Sequence, residues 1–316
     1  MNLSTTEDTG DTEEKTCRIL ISHSQKTWGR TPVGFFPPRP PCPPWWRVWF
    51  IRLGGALVPD PWNPDQYGKF EHERKQPFYD LLAMVRPAAG MRVVDFGCGT
   101  GKLTRELHAQ LQPRETIGID RSRRMLDKAR KTELPPGLGF QVGDIELFPD
   151  GMSGYDLIFS NAALHWVEDH EALFARLAAA LAPNGQLAVQ MPAMHDEISH
   201  LVAAEIFEAE PYQSASGGWR KPQPVLSPGA YARLLFHLGF SDPVVRLIVY
   251  PHVLAGPDEV VEWVKGTLLA EYSRHLPPDV YERFLAEYHA HLLERIGSER
   301  PFLFPFKRIL LWGQRA

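Results

Sequence analysis

A chain of 316 residues exceeds the ~150 of a typical domain, so it holds one large domain or two modest ones. Hydrophobic residues at 44%, charged residues at 23% and a mean hydropathy of -0.26 exclude wholesale disorder and a multispan membrane protein. With 34 basic and 38 acidic side chains the formal net charge is -4, no footprint for a nucleic-acid backbone, so a small-molecule ligand is the expected partner.

Cys17, Cys42 and Cys98 are too few and too scattered for a disulfide framework or a zinc ribbon, which points to a reducing compartment and no structural metal. The first residues carry Glu7, Asp8, Asp11, Glu13 and Glu14 where a secretory signal needs positive charge before an apolar run, so a cytoplasmic location is expected. The apolar stretch Trp45–Leu57 is cut by Arg47 and Arg52 and is shorter than the ~20 residues that span a bilayer. Proline is abundant, 29 residues in all, and it clusters between Pro37 and Pro44, where a helix or an inner strand is impossible. Residues 1–60 are therefore expected to form a poorly ordered extension, dispensable for activity. Its aromatic patch, Trp45–Phe50, reads as leader sequence in preference to a membrane-surface or partner-binding segment.

From Trp62 onward, strand-like and helix-like periods alternate. Met91–Phe96 is expected as a strand and Lys102–Leu111 as a helix, followed by strand Glu115–Ile119, helix Arg123–Thr132 and strand Leu138–Val142. Strand Tyr155–Ser160, helix Glu168–Leu181 and strand Gln186–Met191 complete a βα series over 91–191, which implies a parallel, doubly wound sheet with its site at the strand carboxyl ends. After Met191 the rhythm changes. Helices are expected near 196–209, 228–238, 257–274 and 278–296, with Val244–Tyr250 and Phe302–Trp312 as an antiparallel pair on the sheet edge. The region 192–316 is thus expected to supply edge strands and a helical cap over the site.

The first strand runs into Asp95-Phe96-Gly97-Cys98-Gly99-Thr100-Gly101, a loop that allows close ligand approach and precedes a helix N-terminus. A P-loop fails twice, because Phe96 stands at its first glycine and Leu103 at its Ser/Thr position. A dinucleotide fingerprint places its third glycine one residue later, and Asp95 beside a pyrophosphate is unfavourable. A carboxylate beside an ammonium or a sulfonium is an advantage. That favours S-adenosyl-L-methionine, which carries cationic centres and no phosphates. Asp120 closes the second strand at the distance suited to a ribose contact, and Gly143-Asp144-Ile145 follow the third.

These segments, Val93–Gly101, Gly118-Ile119-Asp120 and Val142–Ile145, resemble the class I S-adenosylmethionine-dependent methyltransferases. The resemblance implies a Rossmann-like, mostly parallel sheet of about seven strands with an antiparallel edge strand, and a single methyltransferase domain over 61–316. It also implies that Asp95, Gly97, Cys98, Gly99, Gly101, Asp120, Arg121, Asp144, Ile145 and Asn161 bind the cofactor. At the end of the fourth strand His165 is either a buried neutral histidine or an acceptor contact, and Trp166 either core packing or a cleft wall.

Within that group, Trp62–Tyr67, Phe70, Glu73-Arg74, Asn161–Leu164, Ala188–Pro192 and Ser199-His200 resemble the trans-aconitate 2-methyltransferase family. This implies methyl-ester formation on a small polycarboxylate. Its remaining charges need Arg, Lys, His or Tyr partners, and Trp62, Tyr67, Arg74, His165, Trp166, Gln190, Arg220 and Arg274 are the candidate acceptor contacts. No acid or base is assigned, because an acceptor carboxylate with a pKa near ~4 is already ionised at neutral pH. Three places depart from the family: His165 stands for a usual glutamine, Thr100 for a proline, and Lys265–Ala270 follows Trp263-Val264 where the family carries Thr-Gly-Leu-Arg. Methylation of another acid, free or held on an acyl carrier, N- or C-methylation, and a non-catalytic cofactor-binding scaffold are the alternatives.

Overall fold

The computed structural model describes residues 75–147 and 152–316, all within the unit Val58–Ala316. The expected N-terminal extension, with Trp62, Tyr67 and Arg74, lies outside the described residues. A short helix α1 (Gln76–Leu82) leads into β1 (Arg92–Phe96), α2 (Lys102–Leu111), β2 (Glu115–Asp120), α3 (Arg123–Ala129) and β3 (Leu138–Val142). Then come β4 (Tyr155–Asn161), a 3-10 turn (Leu164–Trp166), α4 (His170–Ala180) and β5 (Leu181–Pro192). The cap segment contributes α5 (Ile198–Phe207), α6 (Tyr212–Ala215), α7 (Pro228–His237), β6 (Phe240–Leu254), α8 (Asp258–Lys265), α9 (Leu268–Ser273), α10 (Pro278–Ile296) and β7 (Phe302–Arg315).

The strands form one 7-stranded sheet in the order β3-β2-β1-β4-β5-β7-β6. Strands β1 to β5 pair in parallel, whereas β7 runs antiparallel to both β5 and β6. The chain starts in the middle at β1, winds outward through β2 and β3, then returns to β4. The carboxyl ends of β1 and β4 therefore flank a topological switch point, the place where such sheets bind ligands.

Alternation along the strands sorts side chains onto the two faces. Val94, Ile158, Val189 and Leu311 pack with Phe174 of α4 and Tyr231 of α7. Val93, Phe159, Ala188 and Leu310 pack on the other face with Phe78 and Leu81 of α1 and Leu107 of α2. Covering both faces is what lets the inner strands be near-continuously apolar. A separate aromatic-rich core, including Phe207, Trp263, Tyr272, Phe284 and Tyr288, binds α5, α8, α9 and α10 to the Phe304–Phe306 end of β7. Among the described residues no helix is long and apolar enough to cross a membrane.

Strands β6 and β7 form the antiparallel pair expected at the sheet edge. Three details differ from the sequence reading. Strand β6 runs over Phe240–Leu254, longer than the expected Val244–Tyr250. The helix expected over 257–274 is broken at Gly266-Thr267, where Thr267 takes a non-helical backbone (φ -133, ψ -86), so α8 and α9 are distinct. Helix α1 carries its own helix-starting signal, Pro77 in the first turn, although the sequence reading placed no element there.

Candidate functional site

The carboxyl end of the sheet opens into a cleft of about 420 Å3, walled by the β1–α2 loop, the ends of β2, β3 and β4, the start of α6's downstream segment at Lys221, the α8–α9 break and Arg308 of β7. The glycine loop is shaped by what surrounds it. Gly97 has φ +74, and a Cβ there would sit 2.1 Å from the Cβ of Ala163. Gly101 has φ +71 and caps α2, and a Cβ there would lie 2.4 Å from the Phe140 ring. Gly101 does not line the cleft; its role is to bend the loop into the helix. Gly101→Ala should therefore lower thermal stability by about 1–3 kcal/mol through overpacking and left-handed strain, measurable by denaturant unfolding.

Backbone N–H groups of Gly97 and Cys98 donate to the Ile119 carbonyl at 2.8 and 3.1 Å, which fastens the loop to β2. Asp120, the last residue of β2, receives the Gly99 N–H on Oδ2 and the Ser122 N–H on Oδ1, both at 2.8 Å. These two bonds fix the plane of its carboxylate at the cleft wall while leaving acceptor capacity on each oxygen. Asp95 is 5% exposed and accepts a hydrogen bond from the Thr104 hydroxyl at 2.6 Å. Burial pushes its carboxyl up to about 7, the Thr104 bond opposes this, and the nearby Asp120 charge adds to it. The Cys98 thiol is pushed well up by burial and by Asp95 and Asp120, so it stays a neutral wall residue. Asp144, Ile145, Arg121 and Asn161 also line the cleft, and Asp144 accepts the Glu146 N–H at 2.9 Å.

At the opposite end the chemistry inverts. His165 and Trp166 both line the cleft, their rings 4.7 Å apart. Burial lowers His165 to about 3, with Lys221, Arg308 and His170 adding repulsion. The ring is neutral at pH 7, and its Nδ1 is buried without a partner among the described residues, as is Oδ1 of Asn161. His200, also lowered to about 3 by burial and then by Lys221, pairs its Nδ1 with the Ser199 hydroxyl at 3.1 Å. Lys221 donates to the Pro222 carbonyl at 3.3 Å, and burial pulls its ammonium below the usual range against the opposing pull of Glu271. Arg308 is 4% exposed and stacks over the Phe306 ring at 4.7 Å.

The other expected acceptor contacts fare differently. Gln190 is fully buried opposite Asn161 in the β4–β5 register and does not line the cleft; both its side-chain polar atoms lack a partner among the described residues. Arg220 and Arg274 are corrections. Arg220 is largely exposed and pairs with Glu208 at 3.6 Å, while Arg274 bonds Glu271 at 3.1 Å on its own helical turn, and neither borders the cleft. The sequence reading missed Lys221 and Arg308, and it used His200 only as part of a resemblance. Arg308 had a legible signal: a charge inside the apolar run Phe302–Trp312 demands a reason to be buried. Thr267 and Leu268, in the segment that departs from the resembled family, also line the cleft.

A cleft with buried Asp95 and half-buried Asp120 in one part and half-buried Lys221 and buried Arg308 in another suits a cationic ligand beside an anionic one. Comparison with known proteins agrees in kind. Residues 87–226 match a family model described as a methyltransferase domain. The chain is 40% identical over 261 residues to a trans-aconitate 2-methyltransferase of Deinococcus radiodurans, covering 80% of this chain and 98% of that protein. It is 38% identical over 250 residues to a trans-aconitate 2-methyltransferase of Variovorax paradoxus, covering 79% and 94%. Among solved structures, the YcgJ protein of Bacillus subtilis shares the fold with a TM-score of 0.52 at 17% identity, covering 76% of this chain and 98% of that one.

Proposed function

We propose, for a chain that belongs to the trans-aconitate 2-methyltransferase family, that it transfers a methyl group from S-adenosylmethionine to one carboxylate of a small polycarboxylic acid, with trans-aconitate as the acceptor. The observation that carries this reading is that one cleft joins buried Asp95 and the braced Asp120 beside the glycine loop to Lys221 and Arg308 beside His165.

The residues at the carboxylate end fit the cofactor. Asp95 holds a buried carboxyl with its pKa raised to about 7, an environment that a neighbouring ammonium relieves. Asp120, braced by Gly99 and Ser122, has the acceptor capacity to take ribose hydroxyls. Asp144 and Ile145 at the end of β3 would flank the adenine, with Gly97, Cys98, Gly99, Arg121 and Asn161 completing the wall. Bound there, S-adenosylmethionine supplies a methyl group already activated by its positive sulfur.

What remains for the protein is alignment and desolvation. A carboxylate acceptor is ionised at neutral pH, so no residue needs to remove a proton. His165 and His200, both neutral at pH 7, offer hydrogen bonds without charge. Trp166, Trp263 and Phe306 wall off water at this end, which strengthens each remaining electrostatic contact.

The test is methyl transfer to a panel of acids, amines and phenols under equal conditions. Initial rates at low acceptor concentration should fall from tricarboxylates through dicarboxylates to monocarboxylates by about tenfold or more per lost carboxylate, the scale of a charge-assisted pair. Preferential methylation of an amine or a phenol contradicts the reading, and cofactor binding with no transfer to any member would favour a scaffold.

A further inference from the structure

We propose that Lys221 and Arg308 are the two charge anchors that hold the acceptor's non-reacting carboxylates, and so set how many carboxylates the enzyme requires. This rests on the polycarboxylate reading above and names the residues that enforce it.

The cations that line the cleft divide by position. Lys102 opens α2 directly after the glycine loop, Arg121 follows Asp120, and Lys128 lies on α3, so all belong to the cofactor end. Lys75, ahead of α1, lies 3.9 Å from the carboxylate of Glu106. Lys221 and Arg308 line the cleft together with His165, His200 and Phe306, and Arg308 lies over the Phe306 ring; both charges also reach the His165 ring. They therefore converge on the end of the cleft where the neutral histidines sit.

Their settings differ from those of surface cations. Arg308 comes from β7, one strand in from the sheet edge, between Pro192 of β5 and Ile248 of β6 in the register. Its guanidinium lies against Phe306, which fixes the plane of the fork for a bidentate carboxylate contact. Lys221 is half-buried on the irregular stretch between α6 and α7, donates to the Pro222 carbonyl and feels the charge of Glu271. Its position there leaves it with less hydration than a surface ammonium, and an entering carboxylate would replace what is lost. Two neutral imidazoles beside them cannot share the task of balancing charge at pH 7. An acceptor with three carboxylates presents one for methylation and two for compensation, and among the described residues this end of the cleft supplies Lys221 and Arg308.

The test is calorimetric binding of trans-aconitate to protein saturated with S-adenosylhomocysteine, alongside KM and kcat, for Lys221→Met and Arg308→Gln. Each variant should lose about 30-fold or more in trans-aconitate affinity, with KM raised in step and cofactor affinity within about twofold of the unsubstituted protein. A dicarboxylate lacking one of the anchored groups should lose far less in one of the two variants, so that the preference for the tricarboxylate collapses there. Lys221→Arg should restore part of the lost affinity, because it restores the charge. If Arg308→Gln fails to bind cofactor, Arg308→Lys carries the test, since it keeps charge but loses the fork and should raise KM without matching loss of kcat. Unchanged tricarboxylate affinity in folded variants, or an intact tricarboxylate preference, overturns the anchors while leaving the methyltransferase reading in place. An unsubstituted protein that neither binds nor methylates any polycarboxylate overturns both.

Discussion

Asp120→Ala should weaken S-adenosylmethionine binding by about 1.5–3 kcal/mol, tenfold or more, measured by calorimetry. The effect has two sources. The substitution deletes the carboxylate expected to accept ribose hydroxyls, and it releases the Gly99 and Ser122 N–H groups that it now holds at 2.8 Å each. The glycine loop then loses part of its preorganisation, although Gly97 and Cys98 stay tied to Ile119. A second readout separates electrostatics from loop bracing. Asp120 is one of the causes of the raised Asp95 pKa, so its removal should move the Asp95 titration toward the ordinary carboxylate range. Unchanged cofactor affinity in a folded Asp120→Ala protein would remove Asp120 from the binding site.

The second large effect belongs to Asp95 and depends on pH. Its carboxyl titrates near 7 in the folded protein, against 3.8 ordinarily, because it is buried beside Asp120 with only the Thr104 hydroxyl opposing the shift. Between those values the folded state keeps a proton that the unfolded chain releases, so stability falls as pH rises through this window and stays reduced above it. Asp95→Asn removes the titration. It should flatten the dependence and melt at a higher temperature than the unsubstituted protein at pH 8, with the gap closing toward pH 4. Cofactor binding should run the other way. If the ionised carboxylate meets the ligand's ammonium, affinity falls by about tenfold per pH unit below 7 and levels above it, and Asp95→Asn should show weaker, pH-insensitive binding. Equal affinity for Asp95→Asn at pH 7.5, or a binding profile flat across pH 5.5–7.5 in the unsubstituted protein, would place the ammonium elsewhere.

The βα core was legible because each local signal agreed with the global fold. Val93-Val94 and Ile158-Phe159 are apolar in succession, as strands covered on both faces require, and Asp95, Asp120 and Asp144 each stand at or just beyond the end of such a run. The cap was less legible. Gly266-Thr267 splits a stretch whose apolar period continues on both sides, and the period gives no sign of the break that brings Thr267 and Leu268 to the cleft. Arg220 and Lys221 show the limit most clearly. They are adjacent on an irregular segment, 219–227, that has no period to orient side chains, yet one reaches solvent to meet Glu208 and the other turns to the cleft. Arg274 was expected to face the acceptor, but it lies at the end of α9 within reach of Glu271, and that local pairing settles its direction. Arg308 was readable in principle, as the charge inside a buried strand, once burial rather than charge alone is weighed.

The most direct measurement is identification of the product formed from trans-aconitate and S-adenosylmethionine carrying a labelled methyl group. Mass spectrometry should show one added methyl per acid with S-adenosylhomocysteine formed in equal amount, and alkali should release the label as methanol, as an ester requires. Label retained through alkali treatment on carbon or nitrogen, or S-adenosylhomocysteine formed without a methylated acid, would contradict methyl-ester formation in this cleft.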